Sequence, residues 1–62
     1  MSEAITTLAL EYYGTDAYSD EGFEQFVTRY RNDEMLEYNL LRASRLPASK
    51  QDVIRRVFGV IE

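Results

Sequence analysis

Residues 2–14 read SEAITTLALEYYG, and two periodicities compete within them. Ile5, Leu8, Ala9 and Tyr12 fall at i, i+3, i+4 and i+7, the spacing of one helix face. Leu8, Leu10 and Tyr12 also alternate, and Thr6-Thr7 are β-branched, which suits a strand. Read as a helix, the stretch makes the chain all-α; read as a strand, it demands a mixed fold. The helix is the preferred reading, with Ser2 as its cap and Gly14 ending it in the left-handed conformation.

Outward from that stretch, GTDAYSDEG (14–22) is a polar connection. Ser19 or Asp20 caps a second helix whose early acids suit the helix dipole, and Phe23, Phe26, Val27 and Tyr30 repeat the one-face spacing. To continue, that stripe needs apolar residues near 33, 34 and 37, where the chain has Asp33, Glu34 and Glu37. The stripe breaks there. Asn32 or Asp33 then caps a third helix, a bent continuous helix being the competing reading. Met35, Leu36, Tyr38, Leu40 and Leu41 cover more than one narrow face, as when a helix meets a partner as well as its own core.

The C-terminal stretch LPASKQDVIRRVFG (46–59) opens with a turn at 44–48, since Pro47 biases Leu46 away from helical backbone. Ser49 followed by Asp52 has the form of a capping box. Val53, Ile54, Val57, Phe58 and Ile61 line one side of a last helix, with Arg55 opposite in water and Gly59 as its stop. The expectation is an all-α fold, a small bundle of three or four short helices around one core, with residues 1–62 as a single helical domain. Helices are expected near 3–13, 20–31, 34–44 and 50–59, with Phe26, Leu40 and Phe58 in the core.

Size and composition narrow the function classes. A chain of 62 residues buries only about 60% of the surface its unfolded form exposes, so packing, a partner or a second copy must stabilise it. It has no Cys and no His, which removes disulfides, the common zinc sites, and imidazole or thiol catalysis. The carboxylates Asp16, Asp20, Glu21 and Glu24 sit on a loop and a helix start, where solvation and capping account for them. A calcium loop aligned on Gly22 would begin at Ala17, which offers no ligand oxygen, and it is not closed by a Glu. The expectation is therefore no enzyme, no metal and no cofactor. MSEAITTLALEYYG lacks the basic start of a signal peptide, and no stretch approaches the about 20 apolar residues of a membrane span. A soluble cytoplasmic protein is expected, without membrane contact.

The net charge of -4 hides an asymmetry. Glu3, Glu11, Asp16, Asp20, Glu21 and Glu24 precede the first base, and all 7 bases lie between Arg29 and Arg56. The halves therefore attract each other, within one fold or across a dimer. SKQDVIRR (49–56) resembles the opening of a bacterial helix-turn-helix recognition helix, which would present Lys50, Gln51, Arg55 and Arg56 to DNA, joined by Arg42 and Arg45 from the preceding helix. Against it stand a connection longer than the usual turn, Asp52 in the first turn, and the acidic N-terminal half.

The 5 tyrosines favour the other class, since exposed tyrosine gives broad, rigid contact area in protein interfaces. The preferred reading is a non-catalytic protein-binding module, a regulator or inhibitor docking on a larger protein or on a second copy. Tyr13, Tyr18, Glu21, Glu24 and Tyr38 are its candidate contacts. A narrower version has the acidic, tyrosine-bearing face occupying a site meant for nucleic acid.

Overall fold

A computed structural model describes residues 2–43 and 45–59, and among them the chain forms four α-helices and no strand. Helix α1 (Ser2–Leu8) runs on into a π turn (Ala9–Tyr13); α2 (Asp20–Arg29), α3 (Glu34–Arg42) and α4 (Ala48–Phe58) follow. The ambiguous first stretch is helical, but not in the expected phase. A π turn closes i→i+5 and carries an extra residue, so Tyr13 rather than Tyr12 comes round to the interior. Tyr13 stacks on Phe26 with ring centroids 4.3 Å apart. Ile5 and Ala9 keep their core side, while Leu8 and Tyr12, expected on the core stripe, are 48% and 55% exposed.

Gly14 ends this segment at φ -92, not in the left-handed region. Its lack of a side chain serves close approach instead: a Cβ there would lie 2.4 Å from the Ala9 carbonyl oxygen and 2.7 Å from Leu46 Cδ2. Both expected inner caps form. Ser19 Oγ accepts from the Gly22 N–H at 3.0 Å, and Asp33 Oδ1 accepts from the Met35 and Leu36 N–H groups at 3.0 and 3.2 Å. The acids that interrupt the α2 stripe thus start a separate α3.

The capping box of α4 does not form. The helix begins at Ala48 after an extended Pro47, so Ser49 lies inside it, donating to Asp20, and Asp52 faces Arg55. Gly59, at φ 69, is the left-handed stop of α4. The α2 face of Phe23, Phe26 and Val27 packs on Val53 and Ile54 of α4, α1 lies on α3, and Leu36, Leu40 and Leu46 complete the core. Phe58, expected in that core, is only half-buried at its edge, as is Val57. Ser44 and Ile61, expected in the turn and on the last stripe, lie outside the described residues.

Candidate functional site

The six nucleic-acid candidates are held by the fold itself. Lys50 is the clearest case. By spacing it precedes Val53 and Ile54 on the same helix face, and its side chain is 2% exposed. A buried ammonium needs partners for its protons. Lys50 Nζ donates to Asp20 Oδ1 at 2.5 Å and to the Tyr18 carbonyl at 2.9 Å, while Ser49 Oγ donates to the same Asp20 oxygen at 3.0 Å. The expectation of Lys50 as a surface contact is therefore corrected: it joins the start of α4 to the start of α2.

The other five engage their own chain as well. Arg56 reaches Glu24 at 2.9 Å, Arg45 lies 3.6 Å from Glu11, and Arg55 lies 3.5 Å from Asp52. Gln51 Nε2 donates to the Leu46 carbonyl, and Arg42 donates to the Tyr38 hydroxyl with its guanidinium 5.0 Å from that ring's centre. Three of these contacts (Lys50–Asp20, Arg56–Glu24 and Arg45–Glu11) tie the basic half to the acidic half within one chain. The hydrogen bond from Lys50, and then that from Ser49, holds the Asp20 carboxyl below its ordinary value. Arg56 does the same for Glu24, which in turn raises Arg56.

The tyrosine candidates separate into two places. Tyr13 and Tyr18 meet edge-on at 4.7 Å, and Tyr12 closes the group at 4.9 Å from Tyr13 and 5.3 Å from Tyr18. This corner is anchored on both sides. Tyr13 stacks on the buried Phe26, and the Tyr18 ring occupies the space over Gly22, where a Cβ would lie 2.4 Å from Tyr18 Cε2. Tyr12 is its most exposed member and was absent from the expected contacts. The signal for it was the adjacent Tyr12-Tyr13 pair; the π turn reverses which of the two faces water.

Glu21 and Glu24 do not share one surface with the tyrosines. At about 100° per residue, Glu24 falls on the flank of α2 toward α4, where it pairs with Arg56, and Gly22 falls on the flank under Tyr18. Glu21 lies between these flanks on the outer side, exposed. Tyr38 is on α3, in contact with Arg42 rather than with the corner.

These features define a small helical domain that, among the described residues, brings together no three His, Cys, Asp or Glu side chains able to hold a metal ion. No helix among the described residues is long and apolar enough to cross a membrane. No family model, curated protein or solved structure matches the chain.

Proposed function

We propose that this chain is a non-catalytic protein-binding module, a small regulator or inhibitor that docks on a larger protein through its tyrosine corner. The observation that carries the reading is the group of exposed Tyr12 with half-buried Tyr13 and Tyr18, fixed from beneath by Phe26 and Gly22. Rings held in place lose little entropy on binding, so each brings contact area at low cost. Asp16, on the loop between Tyr13 and Tyr18, is an exposed acid, which favours a partner surface with a basic group beside an apolar pocket. Engagement of three of the six arginines, Arg45, Arg55 and Arg56, by Glu11, Asp52 and Glu24 gives further support, because those bases are already occupied within the chain, whose net charge is -4.

The test is a photo-crosslinking amino acid placed at Tyr12 in cells that express the chain, with the same label at exposed Asp52 as the comparison. One discrete adduct with a larger protein from position 12, absent from position 52, is the expected result. Adducts that do not depend on position, or an adduct only with a second copy of the chain, would overturn the reading.

A further inference from the structure

Helix α3 turns Leu36 and Leu40 into the core, yet its opposite side carries Met35 and Tyr38, each 54% exposed, and Leu41, 43% exposed. Tyr38 is the centre of this outer face. One turn before it stand Glu34 and Met35; one turn after it stand Leu41 and Arg42. The order along the helix is therefore acid and apolar, then aromatic, then apolar and base. Arg42 is held on the face itself, over the Tyr38 ring and bonded to its hydroxyl, and it forms no ion pair with an acid among the described residues.

That order is self-complementary under a twofold axis. When a second α3 lies antiparallel across the first with Tyr38 opposite Tyr38, residues equally distant from the centre fall at the same level. Met35 then meets Leu41 of the second copy, and Glu34 meets Arg42 of the second copy, each pairing occurring twice. The helix dipoles also run antiparallel, which is favourable. A parallel pairing would set Glu34 against Glu34 and Arg42 against Arg42, so charge selects the antiparallel arrangement.

From this we infer that the outer face of α3 is the interface of an antiparallel homodimer, with Tyr38 at the twofold axis and Glu34–Arg42 pairs at its two ends. The surface shares no residue with the tyrosine corner, so each dimer presents two such corners, and either proposal stands or falls alone. Three apolar side chains per copy make an interface smaller than the roughly 1,200 Å² of the smallest stable ones, so weak association that shows only at high concentration is expected.

Sedimentation equilibrium of the whole chain from about 20 µM to about 1 mM reads this directly. The weight-average mass should rise from one chain toward two across that range; a mass fixed at one chain up to about 1 mM overturns the dimer, whatever any variant does. Glu34→Arg and Arg42→Glu should each remain monomeric at about 1 mM, because each sets like charges together twice. Mixed in equal amounts, the two variants should pair with each other, since positions 34 and 42 then face opposite charges at both ends of the interface. Variants that are folded by circular dichroism and self-associate like the parent chain, or a mixture that stays monomeric, would overturn this register.

Discussion

The Lys50 ammonium lies 2.5 Å from Asp20 Oδ1, and these residues stand within the first turns of α4 and α2. A cation at a helix start opposes the helix dipole, and a buried one also loses its hydration. Asp20 offsets both for α4 while suiting the dipole of its own helix. The two partners are unequal, because the Asp20 side chain is 51% exposed and that of Lys50 is 2% exposed. Removing Asp20 strands a buried charge; removing Lys50 frees a carboxylate that water already reaches. Lys50→Met, which keeps the stem packed, is expected to stay within about 1 kcal/mol of the parent, the worth of the lost hydrogen bond to the Tyr18 carbonyl. Asp20→Ala is expected to lower the urea midpoint more than Lys50→Met does. The reverse order would show that the pair is not asymmetric as described.

Acid should weaken the domain through such contacts. Asp20 and Glu24 have folded pKa values below their ordinary 3.8 and 4.5 because Lys50 and Arg56 donate to their charged forms. As pH falls through those values, the unfolded chain takes up protons that the folded chain still refuses. The contribution is therefore fully present above about pH 5 and is lost progressively through and below the ordinary carboxylate range. Thermal melts between about pH 7 and pH 3 should show Tm falling at the acid end, and Lys50→Met and Arg56→Ala should each make that fall shallower. A fall unchanged in both variants would place the acid sensitivity elsewhere.

The helices were legible in the sequence because apolar spacing marks them and, at three ends, a cap or stop agrees. Ser19 and Asp33 cap as expected, and Gly59 stops α4. What misled was local phase. An i, i+3, i+4, i+7 reading assumes an α-helix throughout, so the π turn after Leu8 puts Tyr12 outside and Tyr13 inside. Lys50 misled for another reason: its spacing from Val53 and Ile54 already placed it on the core side, but a charge is ordinarily read as solvated. The partner that permits its burial stands 30 residues earlier, and spacing along one helix carries no information about it. Of the tyrosine corner, the sequence showed only the tyrosine count and Tyr13 and Tyr18 as candidates, with Tyr12 read onto the core stripe. Its closure by Tyr18 depends on the loop path between the π turn and α2.

Two glycines should resist substitution for different reasons. Gly14→Ala keeps an ordinary φ but drives a methyl into the Ala9 carbonyl and Leu46, an overpacking expected to cost about 1–3 kcal/mol. Gly59→Ala meets open space and carries only the left-handed backbone penalty at φ 69, about 1 kcal/mol. Urea unfolding of the two variants should rank Gly14→Ala as the more damaging. An equal or reversed order would mean that the approach of Leu46 relaxes without cost.

Of the three expected core residues, Phe26 and Leu40 are buried and only Phe58 moves to the edge. Phe23→Ala, which empties a fully buried position between α2 and α4, should cost about 3–5 kcal/mol, enough to unfold a domain of this size. Phe58→Ala should cost clearly less, because that ring is half in water at the end of α4. Arg55→Ala should stay within about 0.5 kcal/mol, as an exposed residue whose Asp52 contact at 3.5 Å is a surface ion pair. Denaturant melts of the three variants give the order directly.

The last prediction concerns nucleic acid. To engage duplex phosphates, Arg45, Arg55 and Arg56 would have to leave Glu11, Asp52 and Glu24, and the released carboxylates would then face the phosphates. Lys50 would have to leave the core. Of the six candidates, Arg42 alone is a cation on the surface without a carboxylate among its contacts on the described residues. Duplex and single-stranded titrations at about 50 and 200 mM salt are therefore expected to show no sub-micromolar binding by the parent chain. Glu11→Gln, Glu24→Gln and Asp52→Asn combined would leave the three arginines without those carboxylates while keeping side-chain shape. That variant, once circular dichroism shows it folded, should gain weak binding that falls with salt at a log–log slope near -0.9 per phosphate neutralised. Sub-micromolar binding by the parent chain at the lower salt, lost when Arg42 and Arg55 are changed to Ala, would overturn the protein-partner reading. It would also require the contacts between the two halves to open when nucleic acid binds.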